Sequence, residues 1–479
     1  MNLSTTDYSR KWFVLISVGM GIFLATIDGS IVNVALPTLV RALDTNFATV
    51  QWVVLAYLLT TTTLLLSMGR LGDMVGKKPV YVSGFVIFTL SSMLCGLSPS
   101  VYWLIGFRVM QAVGAAMTQA LGIAIVTEAF PSHERGKALG ISGTLVSVGI
   151  VLGPTLGGLL IDALSWRWIF YVNFPIGIIG TFMTLHFVPN VKPTGNQQFD
   201  FTGALMLFAG LLLLLLAMTF GQDRGFTDGL ILVMLGTAVL LLISFIFIEK
   251  RVAQPMIDLQ LFHNRLFSIS LLTGLLVFVT VAGVFILLPF YLENMLGYGT
   301  REVGLLIAAV PILLGVMAPI AGTLSDKIGV RLIATSGLFV LFIGYIAMSR
   351  LGLTTSIPIY IISVLPFGAG VGIFQSPNNS AIMGSVPRGK LGVTSGLLAI
   401  TRNLGQTAGI ALLGTIWAGR VAARAGLMPT GGATAAPIGA QIAGLQDTFG
   451  VNVVLIGCAA LLSGWGLILE RRRKRKTGK

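Results

Sequence analysis

Charged residues are scarce in this chain. Only 10% of its 479 residues are Asp, Glu, Lys or Arg, whereas soluble domains carry about 25%. Hydrophobic residues make up 55% of the chain, and its mean hydropathy is +0.91. This composition excludes a soluble enzyme, a disordered chain and a disulfide scaffold. It predicts a protein that crosses a membrane several times.

Cysteine and histidine are also rare. The two cysteines, Cys95 and Cys458, both lie in apolar stretches, so we expect no disulfide bond. The three histidines are scattered without the spacing of a metal site. The sequence also lacks a phosphate-binding loop, a GxSxG serine motif and an HExxH zinc motif. We therefore predict neither an enzyme nor a bound metal or cofactor.

Long apolar runs dominate what is present. A helix needs about 20 apolar residues to cross the hydrocarbon core, and continuous runs of that length predict helices rather than strands. We therefore predict an all-α polytopic membrane protein with 14 transmembrane helices. The first run is too long for a cleaved signal peptide, so we expect it to remain as an anchor. The predicted spans are 12–36, 50–70, 79–98, 101–128, 138–161, 166–188, 200–221, 229–248, 266–291, 301–323, 330–350, 357–380, 392–417 and 449–470.

The 31 lysines and arginines are unevenly distributed between the predicted loops. If both termini are cytoplasmic, 22 of these residues lie on the cytoplasmic side and 7 on the outer side, and Arg108 and Arg402 lie within spans. Basic residues are retained on the cytoplasmic side of membrane proteins, so this orientation is predicted. The net charge of +14 then reflects topology rather than nucleic-acid binding. We expect the basic tail, 471–479, to lie against anionic lipid head groups.

Two motifs recur at one offset of 253 residues. Gly69–Lys78 and Gly322–Arg331 both read G-x-L-x-D-x-x-G-x-[KR], and 135–137 and 388–390 both read Arg-Gly-Lys. These matches predict an internal duplication, and parallel six-helix repeats are typical of secondary transporters with a substrate site at the membrane midplane. The predicted parts are a six-helix bundle at 1–195, two inserted transmembrane helices at 196–252, a second six-helix bundle at 253–470 and the basic cytoplasmic tail at 471–479.

Four segments, Asp28–Pro37, Gly69–Pro79, Arg108–Gly114 and Gly149–Gly158, carry a family resemblance. They are similar to the helix-one motif, the loop motif between helices two and three, the helix-four arginine motif and the helix-five antiporter motif of the major facilitator superfamily. More narrowly, the chain resembles its fourteen-helix drug:proton antiporter branch. One departure is Ala112, where the helix-four motif usually has glycine. The resemblance implies a proton-coupled exporter of lipophilic drugs or toxic small molecules in a bacterial inner membrane.

Asp28 and Arg108 are charges inside predicted spans. Burial disfavours the ionised form of a carboxyl group, so Asp28 is suited to exchange a proton near neutral pH. At 1.5 Å per residue, Asp28 lies about 13 Å and Arg108 about 10 Å from the outer ends of their helices. Similar depths allow the two side chains to meet. We hypothesise that Asp28 carries the proton and that Arg108 either tunes the pKa of Asp28 or relays the charge. The alternatives are a fixed ion pair, or an Asp28 that only caps a helix break at Gly29.

The loop motif and the helix-five segment also contain residues with a predicted role. Charged groups near the loop motif can form salt bridges on the cytoplasmic side, and the resemblance implies that they lock the outward-facing state. Its residues are Gly69, Asp73, Gly76, Lys77, Lys78, Glu128 and Asp326. In the helix-five segment, small residues allow close helix packing and a proline kinks the helix. Its residues are Gly149, Gly153, Pro154, Gly157 and Gly158.

The substrate cavity is placed by the resemblance alone, on spans 1, 2, 4, 5, 9, 10, 12 and 13. Each polar or aromatic candidate on these spans can instead hydrogen-bond a neighbouring helix. The candidates are Asn33, Tyr57, Gln111, Gln119, Phe285, Gln375, Asn378, Asn379, Arg402, Asn403 and Gln406. Asp28 is the one acid well inside a predicted span. We therefore expect neutral, zwitterionic, anionic or monovalent lipophilic substrates rather than dications.

Several functions stay open from the sequence. The leading one uses protons, a small lipophilic substrate and membrane lipids as partners, and takes its energy from the proton gradient without a cofactor. A second is export of one physiological metabolite, such as a siderophore, an amino acid or an antibiotic. Asp28 argues against a third, a lipid-handling protein without proton coupling. The helix-five motif argues, through the family, against a fourth, an uptake symporter.

Overall fold

A computed structural model describes residues 10–45, 47–191, 199–252, 255–425, 433 and 436–477. Every long regular element in these ranges is a helix, and we number fourteen of them in chain order. They are α1 Lys11–Ala42, α2 Phe47–Val75, α3 Lys77–Leu97, α4 Val101–Ala129, α5 Arg135–Ala163, α6 Asn173–Phe187, α7 Phe201–Arg224, α8 Gly229–Glu249, α9 Arg265–Phe290, α10 Thr300–Ile328, α11 Val330–Met348, α12 Ile357–Gly384, α13 Leu391–Ala425 and α14 Ile438–Thr477. The four-residue helix Trp168–Tyr171 precedes α6, and the π-helical turn Tyr291–Met295 extends α9.

Thirteen of these helices, with α6 taken together with the short helix before it, are long and apolar enough to cross a membrane, which confirms the all-helical, membrane-spanning class. The helix that falls outside this group is α13. Polar residues interrupt its apolar stretch, among them Arg402, Asn403 and Gln406. A fourteenth span therefore stays a prediction.

The two copies of the loop motif have the same backbone conformation at one position. Gly76, which separates α2 from α3, has φ 111° and ψ 139°. Gly329, which separates α10 from α11, has φ 112° and ψ 132°. Side chains disfavour positive φ, so glycine is needed for the sharp turn between each pair of helices. This likeness supports the predicted duplication, whose full architecture remains a prediction.

The chain divides into two compact units. Unit 1 contains Met1–Leu216, Val233–Gln260 and Met383–Ile400, and unit 2 contains Ala217–Leu232, Leu261–Ile382 and Thr401–Lys479. The first turns of α13 thus group with the N-terminal helices, although the sequence assigns them to the second repeat. This grouping reflects spatial proximity and leaves the predicted repeat boundaries untested.

Apolar layers and glycine contacts hold each unit together. In unit 1, Ile31, Val32 and Ala35 of α1 belong to a fully buried apolar cluster just beyond Asp28. In unit 2, the core is formed by buried residues of all six helices from α9 to α14. Helices approach closely at small residues: a Cβ on Gly114 would lie 2.5 Å from the Phe88 backbone nitrogen. Such packing replaces the hydrophobic effect as the source of helix association in lipid.

Candidate functional site

A buried carboxylate lies inside unit 1. Asp28 has no exposed surface, and α1 runs unbroken through Gly29, so the alternative of a helix-break cap is wrong. The Arg108 Nη1 atom donates to Asp28 Oδ2 at 2.6 Å. Asp28 Oδ1 accepts two further hydrogen bonds, from Gln111 Nε2 at 2.9 Å and from Asn173 Nδ2 at 3.0 Å. Side chains of α1, α4 and α6 therefore meet at one carboxylate.

Arg108 uses its planar guanidinium in several directions at once. Besides pairing with Asp28, it donates from Nε to the Val53 carbonyl oxygen at 3.0 Å and from Nη1 to Gln111 Oε1 at 2.7 Å. Its guanidinium carbon lies 4.1 Å from the centre of the Tyr57 ring. A rigid fork of donors above an aromatic ring is a geometry that arginine provides and lysine does not.

The Asp28–Arg108 pair makes this network electrically neutral. Burying a single charge in a protein costs several kcal/mol, and each charge of a buried pair depends on the other for compensation. A proton added to Asp28 would change the net charge of the network from zero to +1 and leave the buried Arg108 uncompensated. The arrangement therefore couples the protonation of one side chain to the electrostatic stability of a packed helix junction.

Asn173 and Ser92 belong to the network but escaped the sequence analysis. Asn173 Nδ2 also donates to Ser92 Oγ at 3.0 Å, and Ser92 Oγ donates to the Phe170 carbonyl oxygen at 2.9 Å. The resemblance directed attention to spans 1, 2, 4 and 5 of this half, and therefore away from α3 and α6. A search for every polar residue inside the apolar runs would have included both residues.

The loop motif forms a second buried polar cluster in unit 1. The two carboxylate oxygens of Asp73 accept hydrogen bonds from the backbone N–H groups of Gly392 and Val393, both at 2.9 Å. These N–H groups begin α13, and a helix N-terminus favours a negative charge. Lys77 Nζ lies 3.1 Å from Asp73 Oδ1 and 2.9 Å from Glu128 Oε1. An Asp–Lys–Glu chain therefore holds the start of α13 against the ends of α2, α3 and α4.

The other predicted motif residues take different positions. A Cβ on Gly69 would lie 2.5 Å from the Gly392 carbonyl oxygen, so this contact requires glycine. Lys78 is half-buried in the first turn of α3. Asp326 of the second copy lies half-buried in the last turn of α10, in unit 2.

A second ion pair reaches the same segment from the loop after α8. Glu249, at the end of α8, accepts hydrogen bonds from the backbone N–H groups of Met256 and Ile257, both at 3.2 Å. Asp258 then pairs with Lys390, one residue before α13. Burial opposes ionisation of Asp258, but the hydrogen bonds from Lys390 and from the Gln260 N–H outweigh it and lower the pKa of that carboxyl. The Asp258 carboxylate therefore stays charged at neutral pH. The sequence alone indicated no role for the two inserted helices and did not predict this contact.

Three glycines of the helix-five segment form one face of α5 against α1. A Cβ on Gly149 would lie 2.8 Å from Thr26 Cβ, one on Gly153 would overlap Ser30 Oγ, and one on Gly157 would lie 2.8 Å from Ile31 Cγ1. The spacing of four residues places them in one row along the helix. Gly158 and Pro154 lie off this face, because Gly158 has nothing within 4 Å of an added Cβ and Pro154 is exposed. The row presses directly on the residues that flank Asp28.

A match to a protein-family profile identifies the family of this chain. Residues 18–410 match the profile described as Major Facilitator Superfamily. This chain belongs to the major facilitator superfamily. The membership confirms that part of the resemblance, and it indicates a transporter rather than an enzyme. The fourteen-helix drug:proton antiporter branch stays a prediction.

Named relatives of this superfamily member are transporters from bacteria. The chain is 39% identical over 411 residues to "Riboflavin transporter RibZ" of Clostridioides difficile, covering 85% of this chain and 89% of that protein. It is 35% identical over 405 residues to "Multidrug resistance protein Stp" of Mycobacterium tuberculosis, covering 84% and 75%. It is 30% identical over 450 residues to "Multidrug transporter protein MdtP" of Bacillus subtilis, covering 92% and 82%.

Solved structures share the superfamily fold. The human organic anion transporter MFSD10 (TETRAN) aligns with a TM-score of 0.67 at 16% identity, covering 95% of this chain and 99% of that chain. The proton:xylose symporter XylE aligns with a TM-score of 0.63 at 13% identity, covering 93% and 95%. At these identities the likeness shows the fold alone.

The predicted substrate residues of this superfamily member differ in burial and in their contacts. Tyr57 and Gln111 lie in the buried network of Asp28, and Asn378 is buried and donates to the Ser270 carbonyl oxygen at 3.0 Å. Asn33 and Phe285 are exposed. The half-buried candidates are Gln119, Gln375, Asn379, Arg402, Asn403 and Gln406. Contact of any of these residues with substrate stays a prediction.

The glycine row offers a matched pair of variants. Gly153→Ala should lower the melting temperature in detergent by several degrees and reduce transport, because a Cβ there overlaps Ser30 and overpacking costs about 1–3 kcal/mol. Gly158→Ala should leave both quantities unchanged or slightly raise stability, since the added methyl meets nothing and alanine favours a helix. Differential scanning fluorimetry and vesicle transport measure both. Equal behaviour of the two variants would contradict the packing role.

Proposed function

We propose that this protein is a proton-coupled antiporter that exports lipophilic drugs or toxic small molecules by alternating access. It would act in a bacterial inner membrane with fourteen spans and both termini in the cytoplasm. The observation that carries the proposal is the fully buried Asp28–Arg108 pair. The relatives named as multidrug proteins in M. tuberculosis and B. subtilis support the substrate class.

Coupling follows from the electrostatics of the pair. With Asp28 ionised, the network is neutral and packs without exposed surface. With Asp28 protonated, Arg108 keeps its charge and loses its counter-charge, which disfavours the dry arrangement. A state in which water reaches the junction is then favoured. Proton binding and a change of conformation would thus shift one equilibrium together.

The clusters at the start of α13 would act as the lock of the alternating-access cycle. Asp73 and Lys77 hold the first N–H groups of α13, and the Asp258–Lys390 pair holds the turn before it. Each contact is polar and can be exchanged for water when the helices separate. Opening on this side would break them together.

The proton gradient supplies sufficient energy without a cofactor. One proton entering down a potential of 100 mV releases about 2.3 kcal/mol, and one unit of pH adds about 1.4 kcal/mol. Together they sustain a concentration ratio of roughly several hundredfold for a neutral substrate exchanged one for one.

The charge of the network also bears on the substrate. Asp28 is already neutralised by Arg108, so the buried site offers no surplus negative charge to a dication. Neutral, zwitterionic, anionic or monovalent lipophilic compounds therefore fit better. Protons and membrane lipids are the other partners in this proposal, and nucleic acid is not one of them.

A second candidate is transport of one physiological metabolite. The relative at 39% identity is named a riboflavin transporter, which favours a planar heteroaromatic compound with polar substituents. The same Asp28–Arg108 device would serve either substrate class.

Proteoliposomes with an acidic interior test both candidates. With an interior about one pH unit more acidic and about 100 mV more positive than the bath, we expect a neutral lipophilic dye to accumulate inside roughly several hundredfold while protons leave. A monovalent cation should accumulate about tenfold, because its one-for-one exchange with a proton moves no net charge, and a dication should accumulate less. A protonophore and protein-free vesicles are the controls. Accumulation of riboflavin alone would establish the second candidate. Accumulation that persists after the protonophore would contradict proton coupling.

A further inference from the structure

The side chain of Asn173 is the part of the network for which the proposed function gives no role. Its Nδ2 atom donates both available hydrogens, one to Asp28 Oδ1 and one to Ser92 Oγ. Ser92 uses its own proton toward the Phe170 carbonyl oxygen, so it can only accept from Asn173. The hydrogen-bond network therefore fixes which end of the amide faces Asp28.

The opposite end of this amide is a buried acceptor. Asn173 has no exposed surface, and its Oδ1 accepts no hydrogen bond from the part of the chain that the structure describes. Gln111, the other amide at the site, is occupied at both ends: Nε2 donates to Asp28, and Oε1 accepts from Arg108 Nη1 and from Cys95 Sγ at 3.7 Å. Asn173 is thus the amide that can change its orientation without breaking the arginine contacts.

Among the described residues, every side chain that hydrogen-bonds the Asp28 carboxylate is a donor. Arg108, Gln111 and Asn173 all present N–H groups to it, which suits a carboxylate but gives a carboxylic acid no acceptor among these contacts. A proton that adds to one oxygen of Asp28 forms one O–H bond and changes the net charge of the network from zero to +1. The new O–H group then needs an acceptor, because an unpaired buried donor is costly.

We propose that Asn173 is a two-state positioning residue for Asp28. Its Nδ2 stabilises the ionised form, and a half-turn of the carboxamide places Oδ1 to accept the O–H of the protonated form. This inference rests on the proposed function, in which Asp28 exchanges the proton. Asn173 would thereby supply a hydrogen-bond partner for the Asp28 carboxyl group in both protonation states.

The surrounding titratable groups do not replace this role. Arg108 from α4 lies against the carboxylate, and Tyr57 from α2 and Cys95 from α3 lie beside the same network. Arginine stays charged at all accessible pH values. Tyrosine and cysteine are neutral below about pH 8. Asp28 is therefore the side chain of this network that can exchange a proton.

Infrared difference spectroscopy of the purified protein, acidic minus alkaline, tests the inference without any ligand. In the wild type we expect the C=O band of protonated Asp28, absent in Asp28→Asn, to appear together with a change in an asparagine amide band. In Asn173→Leu the amide change should disappear, and the Asp28 band should titrate about one pH unit higher. Asn173→Leu removes a hydrogen bond from both forms of Asp28, but the bond to the ionised form is about twice as strong, so the net change raises the midpoint by about this amount. Asn173→Ser, whose hydroxyl can donate and accept, should bring the midpoint part of the way back to the wild-type value.

The outcomes separate a failure of the role of Asn173 from a failure of the role of Asp28. If folded Asn173→Leu titrates as the wild type does and keeps the amide change, the inference is overturned while the role of Asp28 stands. If the wild type shows no Asp28 band at every pH tested, the proposed function itself is overturned. Should Asn173→Leu not fold, Ser92→Ala removes the acceptor that holds the amide in its present orientation. It should also move the midpoint upward, and an unchanged midpoint overturns the inference.

Discussion

Asp28→Asn is expected to abolish concentrative transport while leaving the protein folded. Asparagine has the same shape as aspartate and can still accept hydrogen bonds from Gln111 and Asn173, so the helices can still assemble. The uncompensated Arg108 then favours the arrangement in which water reaches the junction. The variant carries no exchangeable proton and fixes the network at a net charge of +1. For a neutral substrate, the ratio across a vesicle whose interior is about one pH unit more acidic and about 100 mV more positive than the bath should therefore fall from roughly several hundredfold to about one.

Substrate exchange separates this loss of coupling from a loss of binding. We expect Asp28→Asn to equilibrate substrate between the two sides, because the substrate path is not removed. Asp228→Asn is the matched control: this aspartate accepts the Leu230 N–H at 2.9 Å at the start of α8, away from the network. It should transport as the wild type does. Concentrative transport by Asp28→Asn would refute the assignment of Asp28 as the proton carrier.

Arg108→Met is expected to destabilise the protein by about 3–5 kcal/mol, because it leaves the carboxylate of Asp28 buried without a counter-charge. Adding Asp28→Leu to that variant should recover most of the loss, since replacing a buried pair by apolar side chains of similar volume is often neutral. The double variant should still lack proton-driven transport. Unfolding in detergent followed by fluorescence measures the stability of all forms.

An exposed ion pair in the same chain is the control for the stability series. Arg424 and Asp447 approach to 3.1 Å, but the arginine side chain is 57% exposed. Arg424→Gln should change the free energy of unfolding by less than about 1 kcal/mol, because solvent screens exposed pairs. If the double variant of Asp28 and Arg108 is as unstable as Arg108→Met alone, the hydrogen bonds of Arg108 to Val53 and Gln111 hold the junction, and the ion pair does not.

Helix positions could be predicted closely where apolar runs coincide with helices. The run at 101–128 corresponds to Val101–Ala129, and the run at 357–380 lies within Ile357–Gly384. The predicted spans are shorter than the helices where polar residues continue a helix beyond its apolar part. The run at 449–470 misses the first turns of Ile438–Thr477, for example. Hydropathy reports the thickness of the hydrocarbon core and not the length of the helix.

Composition alone determined that this is an all-helical membrane protein, because continuous apolar runs can satisfy their backbone hydrogen bonds in lipid only as helices. The motifs indicated the major facilitator superfamily. They also singled out Asp28 and Arg108, since charges in apolar runs are conspicuous. Only the tertiary structure decided which groups meet them. Asn173 reaches Asp28 across 145 residues, and Asp73 reaches the Gly392 N–H across 319. Such pairings depend on how each helix is rotated and packed, and hydropathy is nearly the same on every face of these helices.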